Sequence, residues 1–471
     1  MSMLKTIASL IYLLSAVCYV IGVHMMRSPK TARKGNLLSG LGMAMAVVMI
    51  LVEIIAKGTI TTIGWAVLFA GLLIGILYGV IKARKVPMTD VPQLVSLFNA
   101  VGGGAAATIG IFDYTNEAVG TSLSLAFSIP VLLDIIIGGI TFSGSLIATG
   151  KLSGHVSGKP IAFPGDKLLN GIAVFAIIIA GVWMIGFPSA YWPMILALCA
   201  SLIFGLLMTL PIGGADMPVV VSLLNAFTGL AVAFAGFVID NQVLIIAGAL
   251  VGAAGTILTL QMAEAMNRSV ANIIAGGFGG GESSTGGAGD DVPVNVKKTS
   301  PDDVGMQLAY AHNVMIVPGY GLAAAQAQHE VAELAKLLTD ADINVNYAIH
   351  PVAGRMPGHM NVLLADVNVP YDQMKQLDEA NSMFENTDIS LVIGANDVTN
   401  PLAREKGNAI SGMPILDVDK SKSVVVIKRS MSTGYAGVQN PLFSEDQTSM
   451  MFADAKKGLQ EIIAATKGYL E

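Results

Sequence analysis

The chain has 471 residues, 53% of them hydrophobic and only 13% charged, with a mean hydropathy of +0.66. Soluble globular proteins carry roughly 25% charged residues, so a wholly soluble fold is excluded and membrane segments are the first expectation. The net charge of −6 implies no nucleic-acid surface, and the two cysteines, Cys18 and Cys199, sit singly in separate apolar runs, which excludes a disulfide framework or a cysteine metal cluster.

A bilayer core asks for roughly 20 apolar residues per helix. Nine runs meet that length: 5–25, 37–56, 60–81, 91–112, 122–149, 168–187, 190–210, 217–239 and 243–263. The first is too long for a cleaved signal peptide, is followed rather than preceded by positive charge, and lacks an A-x-A site; it is read as a spanning helix. The fifth is long enough to tilt or kink and contains Pro130. Basic residues gather after runs one (Arg27, Lys30, Arg33, Lys34), three (Lys82, Arg84, Lys85) and five (Lys151, Lys159, Lys167), whereas the alternate loops hold little positive charge beyond Lys57. The positive-inside rule then sets the N-terminus outside and everything after run nine in the cytoplasm.

Runs four and eight contain the same helix twice. TDVPQLVSLFNAVGGGAAATIG aligns with ADMPVVVSLLNAFTGLAVAFAG at an offset of 126 residues. The alignment pairs Asp90 with Asp216, Pro92 with Pro218, Ser96 with Ser222, Asn99 with Asn225, Gly103 with Gly229 and Gly110 with Gly236. The copies run in the same direction, a parallel repeat of the kind found in transporters. The glycines are explained by close helix approach in lipid. The two buried amides read either as interhelical glue or as the lining of a polar path. Ser145 offers a hydroxyl, Asp134 lies within run five toward the outer side, and Asp90, Asp216 and Arg268 lie at cytoplasmic ends; no histidine lies in a membrane interior.

Residues 276–300, GGFGGGESSTGGAGDDVPVNVKKTS, have the composition of a flexible linker. The organisation expected is a polytopic α-helical membrane domain at 1–275, a linker at 276–300, and an α/β doubly wound Rossmann-like domain at 301–471. HNVMIVP reads as a buried strand, GYGLAA as the turn, the next stretch as a helix and INVNYAI as the second strand. This is a βαβ unit with a dinucleotide fingerprint. Gly319 would make the tight turn, Gly321 would admit phosphate to the backbone, and Ala324 would permit helix–strand packing. Further strands are expected at 389–397, 413–418 and 423–430, with a closing helix near 446–469. In such folds ligands bind beyond the carboxyl ends of the strands. The tails there are GYG, HPVAGR, GAND and KRS.

The second strand ends in Ile349–His350–Pro351, without the carboxylate that binds ribose hydroxyls in NAD sites. Lys428, Arg429 and Ser430 end a late strand, and two cations with a hydroxyl suit a 2′-phosphate, which favours NADP(H). Arg355 is a candidate clamp for pyrophosphate. His312, His329, His350 and His359 read as structural or surface residues, and no acid–base or nucleophilic constellation is evident. That absence fits hydride transfer between two nicotinamide rings, which needs positioning and exclusion of water rather than a general acid or base. One nucleotide site per chain then requires a second nicotinamide from a partner.

Over nearly its whole length the chain resembles the β subunit of the proton-translocating NAD(P)+ transhydrogenase. The likeness rests on GGADMPVVVSLLNAFTG, MNRS and IAGGFGGG in the membrane half, and on VPGYGLAAAQAQ, HPVAGRMPGHMNVLLA, VIGANDVTNP and KRSMSTGYAGVQNPLF in the second half. The resemblance implies an NADP(H) site lined by Gly319, Tyr320, Gly321, Val352, Ala353, Gly354, Arg355 and Met356. Gly394, Ala395, Asn396 and Asp397 would lie at its side, with Asp397 sensitive to the nicotinamide state. Lys428, Arg429 and Ser430 would hold the 2′-phosphate, and Gly434, Tyr435, Ala436 and Gly437 would form a lid. A partner α subunit would bring NAD(H), the working assembly would be a dimer of αβ units in a bacterial inner membrane, and proton passage would drive reduction of NADP+ by NADH. Asn99, Asn225, Asp216, Ser145 and Arg268 would belong to the proton path. Some relatives have a histidine where this chain has Asn99, so the titrating group would come from the partner's membrane helix. The rival readings are a transporter gated by a nucleotide-sensing domain and a membrane-anchored dehydrogenase.

Overall fold

In the computed structural model the described residues are 2–470 apart from 27–28, 59, 118–123, 159, 188–189, 214–215, 268, 276–295, 356–357, 409 and 435. Arg27, Lys159, Arg268, Met356, Tyr435 and most of the expected linker therefore lie outside the described residues. The chain divides into two compact units, 1–212 with 220–259 and 213–219 with 260–471.

Among the described residues, nine helices are long and apolar enough to cross a bilayer. They are α1 (Ser2–Met25), α2 (Pro29–Lys57), α3 (Thr62–Lys85), α4 (Val91–Glu117), α5 (Leu125–Leu152), α6 (Asp166–Gly186), α7 (Trp192–Thr209), α8 (Met217–Val238) and α9 (Gln242–Ala265). Each expected run falls on one of them, but several helices extend further. Lys30, Arg33 and Lys34 belong to the first turns of α2, and Lys82, Arg84 and Lys85 to the last turns of α3, rather than to loops. Lys151 is likewise no loop cation. It is only 5% exposed, and its ammonium donates to the carbonyls of Leu210 (2.5 Å) and Ile212 (2.7 Å). A cation here satisfies carbonyls just past the end of α7. α5 runs unbroken across Pro130.

Small residues set the packing. Between α8 and α9, an ideal Cβ on Gly229 would overlap the Gly252 amide, and one on Gly255 would lie 2.8 Å from the Ala226 nitrogen. Such approach lets backbones touch where lipid supplies no hydrophobic drive. Between α4 and α5, Gly103 faces Thr141 and Gly138 faces Ala107. One buried cluster of this unit joins Tyr114, Val131, Leu132, Ile135, Met184 and Met194.

The second unit is built on a seven-stranded, all-parallel sheet in the order β1-β7-β6-β5-β2-β3-β4. The strands are β1 (Lys297–Lys298), β2 (Asn313–Pro318), β3 (Asn344–Ala348), β4 (Met374–Lys375), β5 (Ile389–Ile393), β6 (Ser423–Lys428) and β7 (Thr448–Phe452). The central strands are almost wholly apolar because both faces are covered. One face meets α16 (Ala455–Leu470), which packs against α11 (Pro301–Ala309) and α13 (Gln328–Asp340). The other buries Met315, Val317, Val392, Val424 and Val426 against Phe384, Leu416, Val418 and Phe443. The architecture is the expected Rossmann-like one.

Three details differ. Residues 413–418 form no strand. Ile415, Leu416 and Val418 are buried, yet the segment lies over the sheet, because both edges of β6 are already taken by β5 and β7. The closing helix starts at Ala455, and β7 occupies the first residues assigned to it. Lys297 and Lys298, at the end of the expected linker, form the sheet's edge strand on β7, and Ser300 caps α11.

Candidate functional site

From β2 the chain moves outward to β3 and β4, then returns to place β5 on the other side of β2. The β2/β5 junction is therefore a topological switch point, where a crevice opens beyond the carboxyl ends of the strands. The tails of both strands meet there. Gly319 N–H donates to Ile393 O and Gly321 N–H to Gly394 O, each at 2.9 Å. An ideal Cβ on Gly321 would come within 2.6 Å of Gly394 Cα, and Gly394 itself has φ +64°. The glycine pattern is thus required by backbone packing on backbone. The Gly321 amide, expected to face phosphate, is donated to Gly394. Ala324, expected to pack on the sheet, is exposed; Leu322 and Ala323 of α12 (Tyr320–Ala324) are the buried pair.

On the β3 side, Gly354 has φ +111° and Arg355 lies 4.5 Å from the Tyr320 ring centre, a cation–π contact. Arg355 N–H donates to His359 Nδ1 at 3.1 Å, and an ideal Cβ on Gly354 would collide with that same ring. Burial pushes the His359 imidazole below its ordinary value, and Arg355 adds to the effect. His350 ties the loop at a second point: Val352 N–H donates to Nδ1 at 3.2 Å, and Nε2 bonds Pro414 O at 2.7 Å. Val352 and Ala353 are held between these two pins. Both histidines hydrogen-bond the HPVAGR tail, a tie that shows only in three dimensions.

On the β5 and β6 side, Ala436 N–H donates to Asp397 Oδ2 at 3.1 Å, and a side chain at Gly434 would strike that carboxylate. Asn440 Nδ2 donates to Asn396 O at 3.1 Å. The segment from 434 thus folds back on the GAND tail, Gly437 adopts φ +69°, and Ala395 is buried beneath. Lys428 ends β6 with its ammonium donating to Ser432 O (2.6 Å) and lying 4.8 Å from the Phe443 ring centre. Burial lowers its proton affinity, while the negative charge of Asp397 works the other way. Ser430 and Ser432 hydroxyls are 3.0 Å apart, and Arg429 and Ser430 are exposed. Strands β2, β5 and β6 are neighbours, so GYG, GAND and KRS converge on one rim, and HPVAGR joins them from β3.

In the membrane unit, the two repeat helices touch. Asn99, 5% exposed, sends its amide to Val221 O at 3.5 Å and accepts from Thr228 Oγ1 at 3.3 Å on its own carbonyl. Val221 and Thr228 are four residues before and three after Asn225, so they share its face of α8 and bracket it at the level of Asn99. Ser96 Oγ donates to the Ser145 carbonyl at 2.9 Å. Asp216 lies just before α8 in the other compact unit.

A bundle of membrane-length helices and a parallel sheet with glycine tails at its switch point define a multi-pass membrane protein carrying a dinucleotide-type α/β domain. The family model described as NAD(P) transhydrogenase beta subunit matches residues 8–465. Two curated relatives from Rhodospirillum rubrum, one of them from a specified strain, are both named NAD(P) transhydrogenase subunit beta. Each is 44% identical over 464 residues, covering 96% of this chain and 98% of the relative. The chain belongs to the NAD(P) transhydrogenase beta subunit family.

Proposed function

We propose that this chain binds NADP(H) at the rim of β2, β5 and β6, and that its helices pass protons inward as NADH held by a partner α subunit reduces NADP+. The observation that carries the reading is the convergence of the Gly319–Gly321, Gly394–Asp397 and Lys428–Ser430 tails at one switch point, in a chain matched over residues 8–465 by a transhydrogenase family.

The residues present fit the cofactor. Lys428 and Arg429 supply two cations and Ser430 a hydroxyl, a donor set for a phosphate dianion. Tyr320 and Arg355 stack at the opposite rim and suit the pyrophosphate side. Asp397 and Asn396 hold the 434–437 segment, which serves as the lid and excludes water. The bound nicotinamide supplies hydride acceptance and release; the chain positions and shields it. In the membrane unit, Asn99 and Asn225 line the path without titrating, and Ser145 belongs to it. The basic flanks of the helices orient the chain with its N-terminus outside and the α/β domain in the cytoplasm of a bacterial inner membrane, and the αβ units work as a dimer.

The test is a binding titration of the full chain in detergent. NADP(H) is expected to bind in strong preference to NAD(H), and Lys428→Gln with Arg429→Gln to erase most of that preference. Hydride exchange is expected only after an NAD(H)-binding partner is added. A preference unchanged in the double variant overturns the assignment of the rim.

A further inference from the structure

The α4–α5 seam is more polar than helix association requires. Positions 134, 138, 141 and 145 of α5 recur every three or four residues, share one face, and are all buried. That face meets α4. An ideal Cβ on Gly110 would lie 3.0 Å from Asp134 Oδ2, one on Gly103 would lie 2.8 Å from Thr141 Cβ, and Ser96 donates to Ser145 O at 2.9 Å. The file continues to Gln93, whose side-chain nitrogen donates to Leu152 O at 3.1 Å and to Asp90 Oδ1 at 3.2 Å.

Most hydroxyls of this file are spent on carbonyls; Thr141, for example, donates to Ile137 O at 2.6 Å. Asp134 differs. It is 0% exposed, and among the described residues no side chain hydrogen-bonds either carboxyl oxygen, the Gly110 backbone being the polar group beside it. The backbone it rests on, at Gly110, is held in the α4 ladder. Gly110 of α4 and Val131 and Ile135 of its own helix meet at this point, and Asp113 of α4 is the charged group near enough to act on it. None of these is a cation, and the Tyr114 hydroxyl is engaged with Ala190 O at 3.1 Å.

Taking a charge out of water costs several kcal/mol unless a partner compensates, so a merely structural side chain has no reason to be a carboxyl here. An ionisable group inside a bundle, without a cation, marks a proton route. Asp134 stands eleven residues from Ser145, about 16 Å along the helix at 1.5 Å per residue, so it serves a different depth from the Ser96–Ser145 contact.

We infer that Asp134 is a proton-carrying carboxyl in the outer half of the α4–α5 seam, an inference that rests on the proton-translocation reading. Its carboxylate takes a proton from water on the outer side. The same O–H bond breaks when the proton moves inward toward Thr141 and Ser145, and no electrons are transferred.

The test uses the whole enzyme with its partner subunits, sealed in vesicles, comparing the parent with Asp134→Asn and Asp134→Glu. Three quantities are read: proton uptake coupled to NADPH formation, NADP(H) affinity, and the infrared carbonyl band of a protonated carboxyl. In Asp134→Asn the coupled rate is expected to fall roughly 100-fold or more, the scale of a lost proton-transfer group, with NADP(H) affinity unchanged and the band gone. Asp134→Glu is expected to regain part of the rate, with a displaced pH profile and a shifted band. Full-rate coupling in Asp134→Asn overturns the inference, as does a band that survives the substitution. If Asp134→Asn fails to assemble, the glutamate variant decides by the same band and profile. A parent that moves no protons refutes the translocation reading itself, whereas a coupled parent beside a coupled Asp134→Asn refutes only the role of Asp134.

Discussion

Acid should loosen the HPVAGR loop through His350. The ring is 1% exposed, and the Val352 N–H can only donate, so Nδ1 is the acceptor and the proton sits on Nε2, donated to Pro414 O. Burial pushes the imidazole down from 6.5 to about 4, against a smaller opposing effect of the Pro414 hydrogen bond. A lowered value means that the unfolded chain binds the extra proton first. The contribution is therefore intact above about pH 6.5 and is lost as pH falls toward 4, with no further loss below. Between pH 8 and pH 5 the difference is about 2 kcal/mol, since the unfolded imidazole is then almost fully charged and the folded one almost wholly neutral. Pulse proteolysis in urea on the detergent-solubilised full chain would read it by following fragments from 300–471. Tryptophan fluorescence would not serve, because all three tryptophans, Trp65, Trp183 and Trp192, lie in the membrane half. The parent should lose about 2 kcal/mol more than His350→Gln, whose amide keeps a donor and an acceptor but does not titrate. Parallel losses in parent and variant would refute the reasoning.

Gly394→Ala should destabilise the second unit by about 2–5 kcal/mol, from the left-handed backbone plus the clash with Gly321, and should abolish NADP(H) binding in the same titration. Ser300→Ala removes the hydroxyl that accepts from Asp303 N–H at 3.1 Å in a reciprocal cap, and should cost about 1 kcal/mol by urea pulse proteolysis. Gly229→Ile should force α8 from α9, lowering the thermal aggregation temperature in detergent while leaving NADP(H) affinity unaltered; a variant as heat-stable as the parent would contradict the packing described.

The helices were legible because length and hydropathy are local properties, and each expected run falls on one helix. Their ends were less so. Lys30, Arg33, Lys82 and Arg84 mark the edge of the hydrocarbon, yet a helix continues past that edge, since charged residues are good helix formers. Strands β2, β3, β5 and β6 announced themselves as short β-branched runs. TSMMF did not, because Ser and Met carry little strand preference, and the two-residue strands β1 and β4 are too short to show a pattern. MPILDV misled in the other direction: its apolar residues are buried as a strand's would be, but strand identity also requires a free neighbouring edge. In the site, glycine and charge motifs pointed to the rim, whereas the pinning by His350 and His359 joins residues distant in the chain. Asp134 was visible as a carboxylate in an apolar run, but its burial against α4 was not.

The floor of the switch-point crevice is main chain laid on main chain, with Gly319 and Gly321 bonded to Ile393 and Gly394. Such a floor has nothing on it for substitution to vary, and any added methyl wedges it open. On the function proposed above, discrimination among related ligands therefore falls to the walls, where Lys428, Arg429, Ser430 and Arg355 stand. A search for altered cofactor preference should confine its libraries to those walls and leave the glycine floor untouched.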